Sequence, residues 1–425
     1  MGVNKDSLTC SLPAAVVSPH HDFFPAAAGA AKSATIKYLL GVRDALVAKK
    51  GNAEGEQLFK RFLGIGVSIG FAIDTTGSMS EEINGVQGAV KGIVESRIGT
   101  SDEPSSYTLA QIHDPSSTLS LVTTNSSAFL SAISGLGAGG GGDCPELAGL
   151  GTYMAASAMP TGGDLYVFTD ATAKDPDKMG EAKSFAMSKK IAVHHALSGS
   201  CSPYDPKYFE LSEATGGQVF IINKNEAGAL TEALLATALS PSRVDIARVS
   251  DQADGAKSYE FIVDSTSDKL FVTISVTSGA VSSVSVIRPD GREVKAGETG
   301  VSISALSRSF FYNIALPQQG IWKVSLEGSG EFNVNAAANS PLSFEYFDFV
   351  EYDDSAHPGY FRIDGYPLAG SKSAVKAVLH GEATDVRFEL RAKSGETIRA
   401  FTLDSFGEYP EMKAFLTDRF YYAQR

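Results

Sequence analysis

The chain has 425 residues, 43% of them hydrophobic and 20% charged, with a formal net charge of −13. This is globular composition at a length that suits two to four domains, and it argues against disorder. An acidic chain repels phosphate backbones, which argues against nucleic acid; no apolar run reaches the roughly 18 residues of a membrane helix; three cysteines are too few for a disulfide scaffold.

Residues 1–25 hold Pro13, Pro19 and Pro25 and few periodic apolar residues, as in an extended arm. Leu8 to Val17 is interrupted by Thr9, Cys10, Ser11 and Pro13, a poor core for a signal peptide. Ala26 to Lys49 predicts a helix with Ile36, Leu39, Leu40, Leu46 and Val47 on one face, broken by Gly51 and Gly55. Residues 1–63 therefore read as an arm and a helical cap packed on the next domain.

From residue 64 to 240 strands alternate with helices. Strands are expected at 69–73, 107–113, 119–123, 164–168, 191–197 and 219–223, the second and third as a hairpin. Helices are expected at 80–97, 127–136, 146–159, 178–189, 208–215 and 227–239. This order implies an α/β doubly wound, mostly parallel sheet. Ser240-Pro241-Ser242 marks a boundary, after which the apolar period changes to two. Leu270, Val272, Ile274 and Val276 alternate with polar residues, as do Trp322, Val324 and Leu326. About seven short strands over 244–336 argue a β-sandwich with Trp322 in its core. A second β-sandwich is expected over 340–425, both of immunoglobulin or fibronectin type.

Chemistry concentrates at Ile69 to Ser80. An apolar strand ends in Asp74, a turn follows at Gly77, and Ser80 can cap the next helix. Asp74, Thr76 and Ser78 stand at i, i+2 and i+4 where open α/β sheets bind ligands. A carboxylate and two hydroxyls in one loop can converge on a hard cation such as Mg²⁺. Asp143, in a Gly-rich loop, and Asp170, ending the strand Leu165 to Thr169, could complete the site. The plainer alternative is a capped helix and a satisfied turn.

Asp74-Thr75-Thr76-Gly77-Ser78, the Gly-rich loop with one oxygen ligand and the strand ending in Thr169-Asp170 resemble the metal-ion-dependent adhesion site of von Willebrand factor type A domains. Ile112-His113-Asp114-Pro115, Gly140-Gly141-Gly142-Asp143-Cys144-Pro145-Glu146, Gly217-Gln218-Val219-Phe220, Gly320-Ile321-Trp322 and His357-Pro358-Gly359-Tyr360 narrow the resemblance to the hemicentin group, over about residues 64 to 370.

The resemblance implies that Thr76 and Ser78 bind Mg²⁺ or Ca²⁺ directly. Asp74 and Asp170 would act mostly through water and hydrogen bonds. A protein partner could then offer an acidic residue to the metal. Asp143 stands where many type A domains have threonine, so three carboxylates would face one ion. Metal should then bind more tightly without a partner, Ca²⁺ should compete better, and capture of an acidic partner residue should weaken. Cys144 and Cys201 would lie at the ligand-binding end of one sheet, and the hemicentin group carries cysteines at both places. A bridge is expected, with two reduced thiols as the alternative, and Cys10 is left over. By resemblance the protein acts in adhesion or matrix organisation, secreted or at the cell surface; an intracellular scaffold is the competing class.

Enzymatic motifs fit poorly. The aspartic-protease pattern lacks a second copy to share a proton. Ser68 of Gly66-Val67-Ser68-Ile69-Gly70 precedes its strand instead of following it, unlike a nucleophile elbow. The glycine run lacks the Lys-Ser/Thr of a phosphate-binding loop. An aspartyl-phosphate phosphatase would use Asp74 but wants a second Asp where Thr76 stands. His194 and His195 would point one ring to each face of the sheet in structural roles. His113 and Asp114 could support the site or anchor a loop, and His20-His21-Asp22 could bind a metal without other support.

Overall fold

The computed structural model describes residues 24–51, 68–100, 103–199, 203–230 and 243–353, the single residues 55, 59 and 201, and short segments from 359 to 417. His20, His21 and Asp22, and all but the start of the expected helix 227–239, lie outside the described residues.

In the N-terminal helix α1 (Phe24–Lys50), Ile36 and Leu40 of the face expected to pack are exposed, and Leu39, Leu46 and Val47 are half-buried. A six-stranded sheet comes next. Its strands are β1 (Ser68–Asp74), β2 (Ser106–Ile112), β3 (Thr118–Thr123), β4 (Gly163–Thr169), β5 (Ile191–Leu197) and β6 (Val219–Ile221), in the order β3-β2-β1-β4-β5-β6. Only the β2–β3 hairpin is antiparallel. Its turn contains the cis Asp114–Pro115 peptide.

Alternation along β1 sorts residues between two cores. Ile69, Phe71 and Ile73 meet α2 (Ile83–Glu95) and α3 (Ser126–Ser134) through Val86, Val90 and Phe129. Ala72 on the other face belongs with α4 (Ala148–Ala158), α5 (Pro176–Ser188) and α6 (Lys207–Thr215). Buried on both faces, β1 has no polar side, which is why it reads as a continuous apolar run.

The β-domain after residue 243 departs from the expected set of short strands. It has six strands: β7 (Arg243–Val263), β8 (Lys269–Val276), β9 (Ala280–Ile287), β10 (Val301–Ala305), β11 (Ser309–Ala315) and β12 (Gly320–Asn339). The 21-residue β7 and the 20-residue β12 pair antiparallel along their length, with one irregularity at Ala336/Ala337. Gly328 faces Gly255 inside this ribbon. Trp322 is fully buried beside Phe261 and Val324, and its indole N–H donates to the Gln318 carbonyl at 2.7 Å. Beyond it, β13 (Ser343–Asp353), β14 (Gly359–Arg362) and β15 (Ser373–His380) belong to a second antiparallel sheet.

The β-domain docks on the last strand of the α/β unit. Phe220 meets Phe311 with ring centroids 5.4 Å apart, and Ser309 Oγ donates to the Ile221 carbonyl at 3.0 Å. Gln218 pairs with Asn335, and Arg248 Nη1 donates to the Gly217 carbonyl at 2.6 Å. The Gly217-Gln218-Val219-Phe220 motif thus builds the domain junction.

Candidate metal centre

The site forms where β1 and β4 end. A 3₁₀ turn over Gly77–Ser80 succeeds β1, and α2 starts only at Ile83, so Ser80 does not cap it as expected. Asp74 is fully buried. Its Oδ1 accepts from the Thr76 amide at 2.9 Å and the Thr76 hydroxyl at 2.7 Å, and its Oδ2 accepts from the Thr169 hydroxyl at 2.6 Å. Thr76 Oγ1 lies 3.2 Å from Ser78 Oγ, which donates to Asp170 Oδ1 at 2.9 Å. Asp74, Thr76, Ser78 and Asp170 therefore form one continuous chain of oxygens.

The Gly-rich loop lies over this turn. Gly77 N donates to the Gly140 carbonyl and Gly139 N to the Thr75 carbonyl, both at 3.0 Å. Gly141 has φ of +73°, and a Cβ there would sit 3.1 Å from Thr76 Cβ and 3.2 Å from Glu146 Oε1. Only a bare backbone passes so close in a left-handed conformation. His113 anchors the loop, its Nε2 lying 2.9 Å from the Gly139 carbonyl.

Asp143 stands apart from the oxygen chain. It is 58% exposed and pairs with Lys174 at 3.2 Å; Lys174 also holds Asp114 at 2.5 Å, which keeps the Asp114 carboxyl below the usual range. The carboxylate turned inward is Glu146, only 3% exposed. Burial, and then the charge of Asp74, push its pKa up to about 7. Burial also raises Asp74, against the hydrogen bonds from Thr169 and Thr76, and raises Glu82 against the pull of Lys224. Lys224 donates to Asp170 Oδ2 at 2.8 Å and the Ser78 carbonyl at 2.9 Å, and lies 3.3 Å from Glu82 Oε1. Sequence reasoning gave no site role to Glu82, Lys224 or Glu146, although Glu146 ends the Gly-rich motif that carries the resemblance.

These donors suit a hard divalent cation. The side chains of the chain from Asp74 to Asp170 offer oxygen, Lys224 is the cation that pairs with it, and buried Oε2 atoms of Glu82 and Glu146 have no hydrogen-bond partner. Among the described residues no three His, Cys, Asp or Glu side chains cluster as a ligand set. The Thr76 and Ser78 hydroxyls, and water, would have to supply part of the shell.

Cys144 and Cys201 stand as a disulfide pair with Cα atoms 6.1 Å apart, joining the Gly-rich loop to the segment after β5. The two histidines of β5 serve packing. His194 stacks on Tyr166 and meets Asp164 at 3.2 Å on one face; on the other, His195 meets Ser212 at 2.8 Å.

Residues 68–224, which carry this site, match the family model "von Willebrand factor A domain", and residues 244–341 match "Hemicentin galactose-binding domain-like". The chain thus carries a von Willebrand factor A domain followed by a hemicentin galactose-binding-like domain, and in this it is similar to the hemicentin-like group. It is 28% identical over 412 residues to von Willebrand factor A domain-containing protein 7 of Rattus norvegicus, covering 89% of this chain and 43% of that protein. It is 25% identical over 358 residues to Hemicentin-1 of Homo sapiens, covering 82% of this chain and 6% of that one. The chain thus spans less than half the length of these relatives. Of the five ligands expected in this von Willebrand factor A domain, Asp74, Thr76, Ser78 and Asp170 are joined by hydrogen bonds at the end of β1, and Asp143 is not among them.

Proposed function

We propose that this chain is a divalent-cation-dependent adhesion or interaction module, acting outside the cell through the loop after β1. The observation that carries the reading is the unbroken run of oxygens from Thr169 through Asp74, Thr76 and Ser78 to Asp170. In it Thr76 and Ser78 would offer hydroxyls to Mg²⁺ or Ca²⁺. Asp74 and Asp170 would orient those hydroxyls and the bound waters. The cation would supply a fixed positive charge to which an oxygen of a protein partner can bind. Hemicentin relatives and the Cys144–Cys201 pairing support an extracellular location.

An aspartyl-phosphate hydrolase is disfavoured because a nucleophile must reach substrate. Asp74 is fully buried, and both its oxygens already accept hydrogen bonds. An intracellular scaffold would keep the same cation site with Cys144 and Cys201 as thiols, so thiol labelling of the native protein separates that reading from ours.

The test is thermal unfolding in Mg²⁺, Ca²⁺ or EDTA beside the Asp74→Ala variant. Saturation at about a hundred times the dissociation constant adds about 2.7 kcal/mol. The wild type should melt higher with metal and the variant should not respond. A wild type indifferent to both metals would reduce the loop to a satisfied turn.

A further inference from the structure

The loop after the glycines offers two carboxylates three residues apart, Asp143 and Glu146, and the fold turns them to different tasks. We infer that Glu146 is the carboxylate through which this chain ligates the divalent cation directly, so that the ion is held without an acidic residue from a partner. The inference rests on the reading of the β1 loop as a cation site.

Three observations carry it. First, Glu146 is buried and its Oε2 has no hydrogen-bond partner, while its Oε1 lies where only the missing side chain of Gly141 leaves room beside Thr76. Second, Glu146 is not spent on the adjoining helix. The free N–H groups of Gly149 and Leu150 at the start of α4 donate to Asp175, at 2.8 and 2.7 Å. A carboxylate just before a helix would ordinarily take that role. Third, its backbone is held from both sides: Glu146 N donates to the Thr172 carbonyl at 3.1 Å, and Lys174 N to the Glu146 carbonyl at 2.7 Å. The side chain is thus aimed by the loop after Asp170. Asp143, by contrast, is solvent-facing and already neutralised by Lys174.

A buried carboxylate with one oxygen left unsatisfied is costly unless a cation joins it. With Glu146 as the direct anionic ligand and Thr76 and Ser78 as neutral ones, Asp74 and Asp170 can act through the hydroxyls they already hold. The bound ion then carries less unbalanced charge, and a neutral oxygen from a partner suffices to complete its shell.

The experiment is titration calorimetry of the whole chain with Mg²⁺ and with Ca²⁺, each alone, on the wild type and on Glu146→Gln, Asp143→Asn and Asp74→Ala. We expect metal binding by the wild type, an affinity within about twofold for Asp143→Asn, and a loss of about tenfold or more for Glu146→Gln. A melt in EDTA checks that Glu146→Gln is folded; if it is not, Glu146→Asp replaces it, with the same loss expected from its shorter reach. Wild-type affinity in the Glu146 variant, with binding lost in Asp74→Ala, overturns the inference and leaves the cation site standing. No binding of either metal by the wild type overturns both.

Discussion

The ammonium of Lys224 lies 2.8 Å from the Asp170 carboxylate, on the side away from the oxygen that accepts from Ser78. Asp170 thus faces two ways: toward the hydroxyl chain with one oxygen and toward a tethered cation with the other. Lys224 offsets negative charge that would otherwise attract a metal. Lys224→Met should therefore tighten Mg²⁺ binding by about three- to tenfold at low salt, read by calorimetry. It should also lower metal-free stability, because Asp170 and buried Glu82 lose their partner.

Thr169 holds Asp74 at 2.6 Å inside the protein. Thr169→Val keeps the shape and removes that donor from a buried carboxylate. Hydrogen bonds to charged groups contribute about 1.5–3 kcal/mol, so denaturant titration should show a loss of that order. The loss should be smaller in Asp74→Asn, where the acceptor carries no charge.

Glu146 makes metal-free stability depend on pH. Its pKa rises from an ordinary 4.5 to about 7 on folding, so between these values the folded chain holds more of the proton than the unfolded one. Metal-free stability from this group is therefore full below about pH 4.5 and is lost as pH rises through 7. Glu146→Gln should melt higher than the wild type at pH 8 in EDTA, by on the order of 2–4 °C for each 1 kcal/mol relieved. The difference should shrink at pH 5.

His195 contributes with the opposite sign. Burial, and then the neighbouring His194, hold its pKa at about 3, and burial also lowers that of His194. Unfolding then takes up protons below about pH 6.5, so stability is full above that value and falls toward pH 3. The imidazole proton shifts of His195 should stay at neutral positions when the folded protein is taken to pH 5.

The Cys144–Cys201 bridge closes a 57-residue separation that includes β4, α5 and β5. Loop-closure entropy gives such a bridge about 4 kcal/mol. Cys144→Ser/Cys201→Ser should lose stability of that order and weaken metal binding, since the loop carrying Glu146 is freed at one end.

The domain junction should fold with the α/β unit. Phe311→Ala empties a fully buried ring site against Phe220 and should cost about 3–5 kcal/mol. A melting curve that splits into two transitions in this variant would show that Phe311 couples the domains.

Much of the molecule was legible before folding. Strands buried on both faces, such as Ile69 to Ile73, carry their own apolar signature, and helices between them leave a doubly wound sheet as the only economical topology. Asp74, Thr76 and Ser78 are local in sequence, so a single turn suffices to bring them together. The choice between Asp143 and Glu146 is not local. It depends on Asp175 capping α4, on Lys174 drawing Asp143 outward, and on the pairing of Cys144 with Cys201, partners 26 to 57 residues away. The long β7–β12 ribbon was hidden for a related reason: alternation over a few residues, as at Trp322, Val324 and Leu326, marks a strand but not its length, which is set by a partner that pairs along the whole of it. Local spacing determined where a cation site could form. Burial and charge pairing across distant segments decided that Glu146 turns inward and Asp143 outward, because the cost of an unpaired buried charge is set by what surrounds it and not by what adjoins it in the chain.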